Sequence, residues 1–372
     1  MKEYFNRLDS LRFLAFAVVF VSHLTYFLRL PRSVIVDHTL ARTFLQNGDL
    51  GVSFFFVLSG FLITYLLEKE YQKTGTLSFK KFYSRRILRI WPLYFLAIGI
   101  IVVMSASFGQ HFSFYKLGIN GHEIAAFLLL FGNVYRVFWN TANDVLTILW
   151  SIAVEEQFYL VWPLLFFIFR KHILWVLGIL AIVSLGFSYH YGANFEAREF
   201  YTPCVMIYLM VGSLCGIYAS RFKETIKKHI GLIISSGIII TLLLTYIRGV
   251  AFVVEYPGWF ASLQSIIFSA CFAGIILACA YWEGESNVGT TYLGKISYGL
   301  YVYHLIALTI VFEILSLLSP HFAVGAGVSG TVFVLIFGAA LLLTVGLASL
   351  SYFYWERPFL KFKDRLEESF SL

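Results

Sequence analysis

Charge is in short supply in this sequence. Asp, Glu, Lys and Arg make up 13% of its 372 residues, about half the roughly 25% of a soluble domain. A water-facing surface cannot be covered from that supply, which excludes an ordinary soluble globule. Cysteine and proline are scarce too, at four and seven residues. Cys204, Cys215, Cys271 and Cys279 all stand inside apolar runs without ligand-like spacing, so packing is expected of them rather than disulfide or metal chemistry. No metal cofactor is expected. No linker, low-complexity tract or internal repeat divides the chain, which predicts a single membrane domain over residues 1–372 and speaks against an inverted-repeat transporter. No small-residue cleavage site follows the first apolar block, which therefore reads as a retained helix.

Apolar residues fill the space that charge leaves, at 59% of the chain. They come in blocks close to the ~20 residues that a helix needs to cross the hydrocarbon core. The candidate spans are Leu11–Leu30, Leu50–Leu67, Pro92–Phe108, Ile148–Phe169, Ile173–Tyr189, Tyr201–Ala219, Ile230–Ile247, Phe260–Tyr281, Ile296–Leu318 and Val328–Phe353. Backbone groups in lipid must be satisfied within the segment, and these blocks lack the period-2 alternation of a barrel. The fold class predicted is all-α, a polytopic bundle of about ten transmembrane helices. Ile124–Phe138 is short and carries Asn133 and Arg136; it reads as a re-entrant or interfacial helix.

The charges that remain are unevenly placed. With the N-terminus inside and about ten crossings, inner loops hold Lys69 through Lys80, Lys81, Arg85, Arg86 and Arg89, then Arg170–Lys171, the cluster Arg221, Lys223, Lys227 and Lys228, and the tail residues Arg357, Lys361, Lys363 and Arg365. Outer loops keep Arg29, Arg32, Arg42, Lys116, Arg136, Arg198 and Arg248. By the positive-inside rule both termini are cytoplasmic. The net charge of +7 follows from this asymmetry and does not point to nucleic acid.

Ionisable groups inside a span are expensive, so each is a functional candidate. The first span carries Arg12 and His23, eleven residues apart, which is about 16 Å along a helix on nearly the same face. His23 is either a base for a hydroxyl proton or a core histidine bonded to a neighbouring helix. The fourth span carries Ser151, Glu155, Glu156 and Gln157; adjacent carboxylates point about 100° apart, so one faces a polar interior and the other meets Arg or backbone donors. A buried ion pair is the plainer alternative. In the ninth span Ser297, Tyr301 and His304 share a face, with Tyr298 beside them. The aromatic stripe is ordinary core chemistry, which puts the weight on Ser297 and His304. In the inner loop Phe82–Pro92, Arg85, Arg86 and Arg89 would form one basic face if helical, suited to a phosphate-rich cofactor or to anionic lipid headgroups. The Ser59-Gly60 pair would let helices approach closely.

Taken in order, these segments resemble acyltransferase family 3, the multi-spanning membrane acyltransferases. Arg12 and His23 fit that family's basic residue, ten intervening residues and histidine. Gly51–Thr64 resembles GV-x-FF-x-LSGFLI, Phe82–Tyr94 resembles F-x-x-RR-x-x-R-I-x-P-x-Y, and Leu149–Pro163 resembles WS-x-x-x-EEQFY-x-x-x-P. Leu293–His304 resembles LG-x-I-SY-x-x-Y-x-x-H, and Glu356-Arg357-Pro358 the terminal E-R-P. The resemblance implies that His23 is the essential catalytic histidine with Arg12 as its basic partner. It also implies acyl groups, usually acetyl, arriving from cytoplasmic acyl-CoA and ending on an acceptor hydroxyl at the outer face. Ser10 departs from a common glycine, and no SGNH-type hydrolase domain follows the last span, so a two-module scheme within one chain is not expected.

The reading is then an O-acyltransferase acting on a cell-surface glycan or its lipid-linked precursor. His23, Glu155 and Glu156 are expected in catalysis, and Arg12, Ser151, Ser297, Tyr298 and His304 at the acceptor. Arg85, Arg86 and Arg89 are expected at the phosphates of acyl-CoA. The rivals are a transporter or flippase for a lipid-linked sugar, with His and Glu as a proton relay, and an O-acyltransferase of a hydrophobic small molecule.

Overall fold

The computed structural model describes residues 6–27, 45, 47–108, 118–139, 143–251, 257–283, 287–318 and 330–369. Of the outer-loop cations, Arg29, Arg32, Arg42 and Lys116 lie outside them, as do the last three residues of the first expected span.

Among the described residues every element is helical apart from one isolated bridge residue. The main helices are α1 (Asn6–Phe27), α2 (Gly48–Thr74), α3 (Phe79–Phe108), α4 (Gly121–Leu128), α5 (Gly132–Trp139), α6 (Trp150–Ile168), α7 (Ile173–His190), α8 (Thr202–Tyr218), α9 (Ile230–Ala251), α10 (Gly258–Tyr281), α11 (Ser297–Leu318), α12 (Gly330–Ser351) and α13 (Arg357–Ser369). A π-helical turn, Tyr352–Glu356, joins the last two. Among the described residues ten helices are long and apolar enough to cross a membrane, and they fall on the ten blocks expected. The chain is a multi-pass helical membrane protein.

Two segments differ from expectation in their local structure. The stretch Phe82–Pro92 is not a loop: α3 starts at Phe79 and carries Arg85, Arg86 and Arg89 on its first turns. Lys, Arg and Leu are good helix formers, and lipid-facing hydropathy marks only the apolar half of such a helix. The short segment Ile124–Phe138 resolves into α4 and α5, of eight residues each, about 12 Å per helix and too short to cross. Leu130 between them takes the left-handed conformation, φ +62°, and Leu129 and Phe131 beside it are exposed. Tyr94 ties the hairpin down by donating its hydroxyl to the Phe127 carbonyl at 2.7 Å.

The chain divides into two compact units, Met1–Val19 with Thr39–Leu77 and Gln157–Lys295, and Phe20–His38 with Ser78–Glu156 and Ile296–Leu372. In the first, α2 and α8 pack backbone against backbone. A Cβ on Gly60 would collide with the Leu209 carbonyl oxygen, and one on Gly212 with that of Val57. Glycine is therefore required by close approach, the small-residue packing of membrane helices. Trp162 donates its indole N–H to Thr64 Oγ1 at 2.8 Å in the same layer. Buried charges here are paired. Arg248 meets Asp49 and, at 3.7 Å, Glu199; Arg198 meets Glu199 at 3.1 Å; and Arg170 meets Glu68 at 2.7 Å.

The second unit holds the last two turns of α1, then α3 to α5, the start of α6, and α11 to α13. Phe20 packs edge-on against Phe337, ring centroids 5.6 Å apart. Pro92 lies inside α3. Lacking an N–H, it cannot donate to the Leu88 carbonyl one turn back; two other carbonyls of this stretch accept from neighbouring elements. Tyr298 donates its hydroxyl to the Ile90 carbonyl at 2.9 Å, and Trp355 its indole N–H to the Pro92 carbonyl at 2.9 Å.

Candidate functional site

Ten of the eleven expected site residues belong to the second unit. Arg12 belongs to the first, on the same uninterrupted helix α1 as His23. Its guanidinium is held by Asp9, one turn earlier, and Asp9 is itself buried.

The centre of the cluster is a pair of imidazoles. His304, on α11, is fully buried at 0% exposure. Its Nε2 lies 3.4 Å from Nδ1 of half-buried His23 on α1. Ring centroids are 5.1 Å apart and the planes tilt by 59°, so the rings meet through their nitrogens and do not stack. Nδ1 of His304 is 2.6 Å from the Tyr301 carbonyl oxygen, one turn back. Tyr301 in turn is bonded to α6 and the turn before it. Its hydroxyl lies 2.6 Å from Ser151 Oγ and donates to the Ile148 carbonyl at 3.2 Å. The face shared by Tyr301 and His304 thus joins the WS segment to His23 through a line of short polar contacts. Ser297 is buried at the start of that helix.

The adjacent carboxylates diverge, as 100° per residue requires. Glu156 is buried and turned toward α3, where Oε2 accepts the Trp91 indole N–H at 2.7 Å, with Arg86 within electrostatic reach. Glu155 is half-buried and lies within electrostatic reach of Tyr301 and Tyr298.

The basic face of α3 sits next to this. Arg85 and Arg86 are half-buried and Arg89 is exposed; Arg86 also packs over the Phe82 ring at 5.8 Å. Glu356, on the π-turn, is buried at 9% exposure, bonded by Ser351 at 3.2 Å and within reach of Arg89. Among the described residues no cluster of His, Cys, Asp and Glu could hold a metal.

Three members of the cluster carried little weight in the sequence. Trp91 is one, although an indole N–H beside a helix-internal proline was visible in the Arg-rich segment. Tyr301 looked like packing. Glu356, a carboxylate closing the run Tyr352-Phe353-Tyr354-Trp355, was seen only as part of the terminal E-R-P. Chemically, the arrangement offers an imidazole held by a second imidazole, a half-buried carboxylate and guanidinium groups.

The chain is similar to the peptidoglycan O-acetyltransferase OatA of Listeria monocytogenes, 26% identical over 355 residues, covering 86% of this chain and 52% of that protein. It is also similar to the O-acetyltransferase OatA of Staphylococcus aureus, 28% identical over 379 residues, covering 96% of this chain and 58% of that protein. The chain therefore spans about half the length of the curated relatives it matches. No solved structure matches it significantly. The profile of the acyltransferase domain matches residues 5–353, from the first turn of α1 into the π-turn after α12, and with nearly the whole chain covered this protein belongs to acyltransferase family 3.

Proposed function

We propose that the protein is an O-acetyltransferase of the bacterial cytoplasmic membrane, with both termini inside. It would carry an acetyl group from cytoplasmic acyl-CoA to a hydroxyl of a cell-surface glycan or its lipid-linked precursor. The observation that carries this is the His23–His304 contact, two imidazoles 3.4 Å apart on helices long and apolar enough to cross a membrane. Such groups are not kept in spans for packing alone. The names of the two relatives supply the acetyl group and the glycan acceptor. The orientation rests on the inner basic loops.

In this reading Arg85, Arg86 and Arg89 hold the phosphates of acyl-CoA, with Arg12 as the basic partner on the helix of His23. His23 takes the proton of the acceptor hydroxyl, the oxygen attacks the thioester carbon, the C–S bond breaks, and the proton passes to the leaving thiolate. An ester and free CoA result. Glu155 supports the transient imidazolium, as the carboxylate of a triad does, and Glu156 anchors α6 to α3. Ser151, Ser297 and Tyr298 shape the wall that the acceptor meets. General base catalysis of this kind contributes about 10²–10⁴-fold.

The test is complementation. In cells deleted for the gene, the wild-type chain restores base-labile acetyl groups on the surface glycan, read by proton NMR before and after mild alkali. His23→Ala reaches the membrane at the same level and restores none. Wild-type acetyl content with His23→Ala would end the proposal. An unchanged acetyl content on deletion, with glycan retained inside the cell, would turn the reading to transport.

A further inference from the structure

The hydrogen-bond directions around His304 decide which nitrogen of His23 can act as base. The Tyr301 carbonyl can only accept, so the 2.6 Å contact puts a proton on Nδ1 of His304. In the neutral ring Nε2 then carries a lone pair. That lone pair faces Nδ1 of His23 at 3.4 Å, and two lone pairs cannot bond, so Nδ1 of His23 must carry the proton between them. His23 is left as the Nδ1–H tautomer, with its lone pair on Nε2. The opposite arrangement needs a doubly protonated His304, a cation at 0% exposure, and burial of a charge is heavily penalised.

We infer that His304 is a positioning residue, which fixes His23 in the Nδ1–H tautomer so that Nε2 takes the hydroxyl proton; this rests on the acetyltransferase reading above. The ring of His304 is itself held. Its Nδ1 is anchored to the Tyr301 carbonyl, the Phe20 and Tyr301 rings flank it at 6.3 and 5.7 Å, and the Tyr301 hydroxyl is tied to Ser151. The orientation of the base is thus transmitted from α6 through α11 to α1. When Nε2 of His23 gains the hydroxyl proton, Nδ1–H becomes the donor of a charged ring, and the contact shortens, as catalytic hydrogen bonds do between resting and reacting states. His304 then steadies the imidazolium without exchanging a proton itself. The nitrogen that a histidine presents is set by what its other nitrogen bonds, and here that partner is a second histidine.

The tautomer is read directly by solid-state NMR of the full chain, labelled with ¹⁵N-histidine and held in lipid bilayers, with a His23→Asn sample identifying the His23 signals. Wild type is expected to show His23 neutral with its proton on Nδ1. His304→Leu removes the acceptor, so His23 redistributes toward the Nε2–H form, and acetyl transfer falls about 10²-fold. His304→Gln presents an amide oxygen near the Nε2 position, keeps the Nδ1–H form, and retains activity to within tenfold. A wild-type His23 protonated on Nε2, or a tautomer ratio that His304→Leu does not move, would overturn the inference. Should the leucine variant fail to fold, the wild-type and glutamine spectra decide it alone. Full acetyl transfer by His23→Ala would remove the base assignment, while the spectrum reads the His304 contact independently of activity.

Discussion

In the first unit each buried guanidinium faces a carboxylate, Arg248 with Asp49 and Glu199 and Arg198 with Glu199, and half-buried Arg170 meets the buried Glu68. In the second, the fully buried His304 faces a carbonyl and another imidazole, Tyr301 faces a serine hydroxyl, and Glu156 faces an indole N–H. Both sets are costly in a membrane, but only the first cancels its own charge. Ion pairs hold helix ends and have nothing left over for a substrate. A line of neutral donors and acceptors that ends at His23 holds a base without cancelling it. The difference separates buried polarity that holds a fold from buried polarity that can do chemistry, and it can be attacked from either side.

The largest expected effect is the loss of acetyl transfer in His23→Ala, about 10²–10⁴-fold with the protein intact. Its counterpart in the first unit is Asp49→Leu. This takes the nearer of two carboxylates from buried Arg248, and removing one partner of a buried pair costs about 3–5 kcal/mol. Thermal unfolding in detergent should show that loss, while acetyl transfer per folded molecule stays as in wild type. Asp49→Leu with Arg248→Met should recover most of the stability. If Asp49→Leu instead abolished activity at normal stability, the ion pairs around Arg248 would do more than hold the fold.

Gly212→Ala comes next. Its methyl group meets the Val57 carbonyl oxygen, a backbone atom that cannot rotate away, and overpacking of this kind costs about 1–3 kcal/mol. The same unfolding measurement reads it, and a stability equal to wild type would mean that α2 and α8 slide apart without penalty.

Much of this was open to inspection in the residues. The ten spans were legible because lipid demands about 20 apolar residues in a row, and few soluble patterns imitate that. His23, Ser151, Glu155, Glu156 and His304 were legible because a polar residue in such a run needs a reason. The start of α3 was not, because Lys80 through Arg89 are polar enough to read as a loop and helical enough to continue the span. The break at Leu130 was not either, since Leu128-Leu129-Leu130-Phe131 contains no glycine or asparagine to announce a positive φ. Partners were the least legible. Arg198 and Arg248 read as outer-loop charges, and that Glu199 and Asp49 meet them is a matter of distances across the chain. So is the choice between adjacent carboxylates, which turns on where Trp91 lies.

The smallest effect tests whether the basic face of α3 binds the donor or only anchors the helix at the inner interface. Arg89 is exposed, and an exposed ion pair is worth about 0–1 kcal/mol, so Arg89→Gln should leave stability unchanged. A phosphate contact is charge-assisted and contributes about 1.5–3 kcal/mol, partly offset here by solvent, which predicts a KM for acetyl-CoA raised about tenfold with kcat within twofold. Acetyl-pantetheine carries the same thioester without the nucleotide phosphates, so its KM should not move. A change common to both donors would mean that Arg89 acts through Glu356 and the π-turn beside it. With neither affected, Arg89 would be an anchor, and the donor phosphates would have to be held by Arg85 and Arg86 without it.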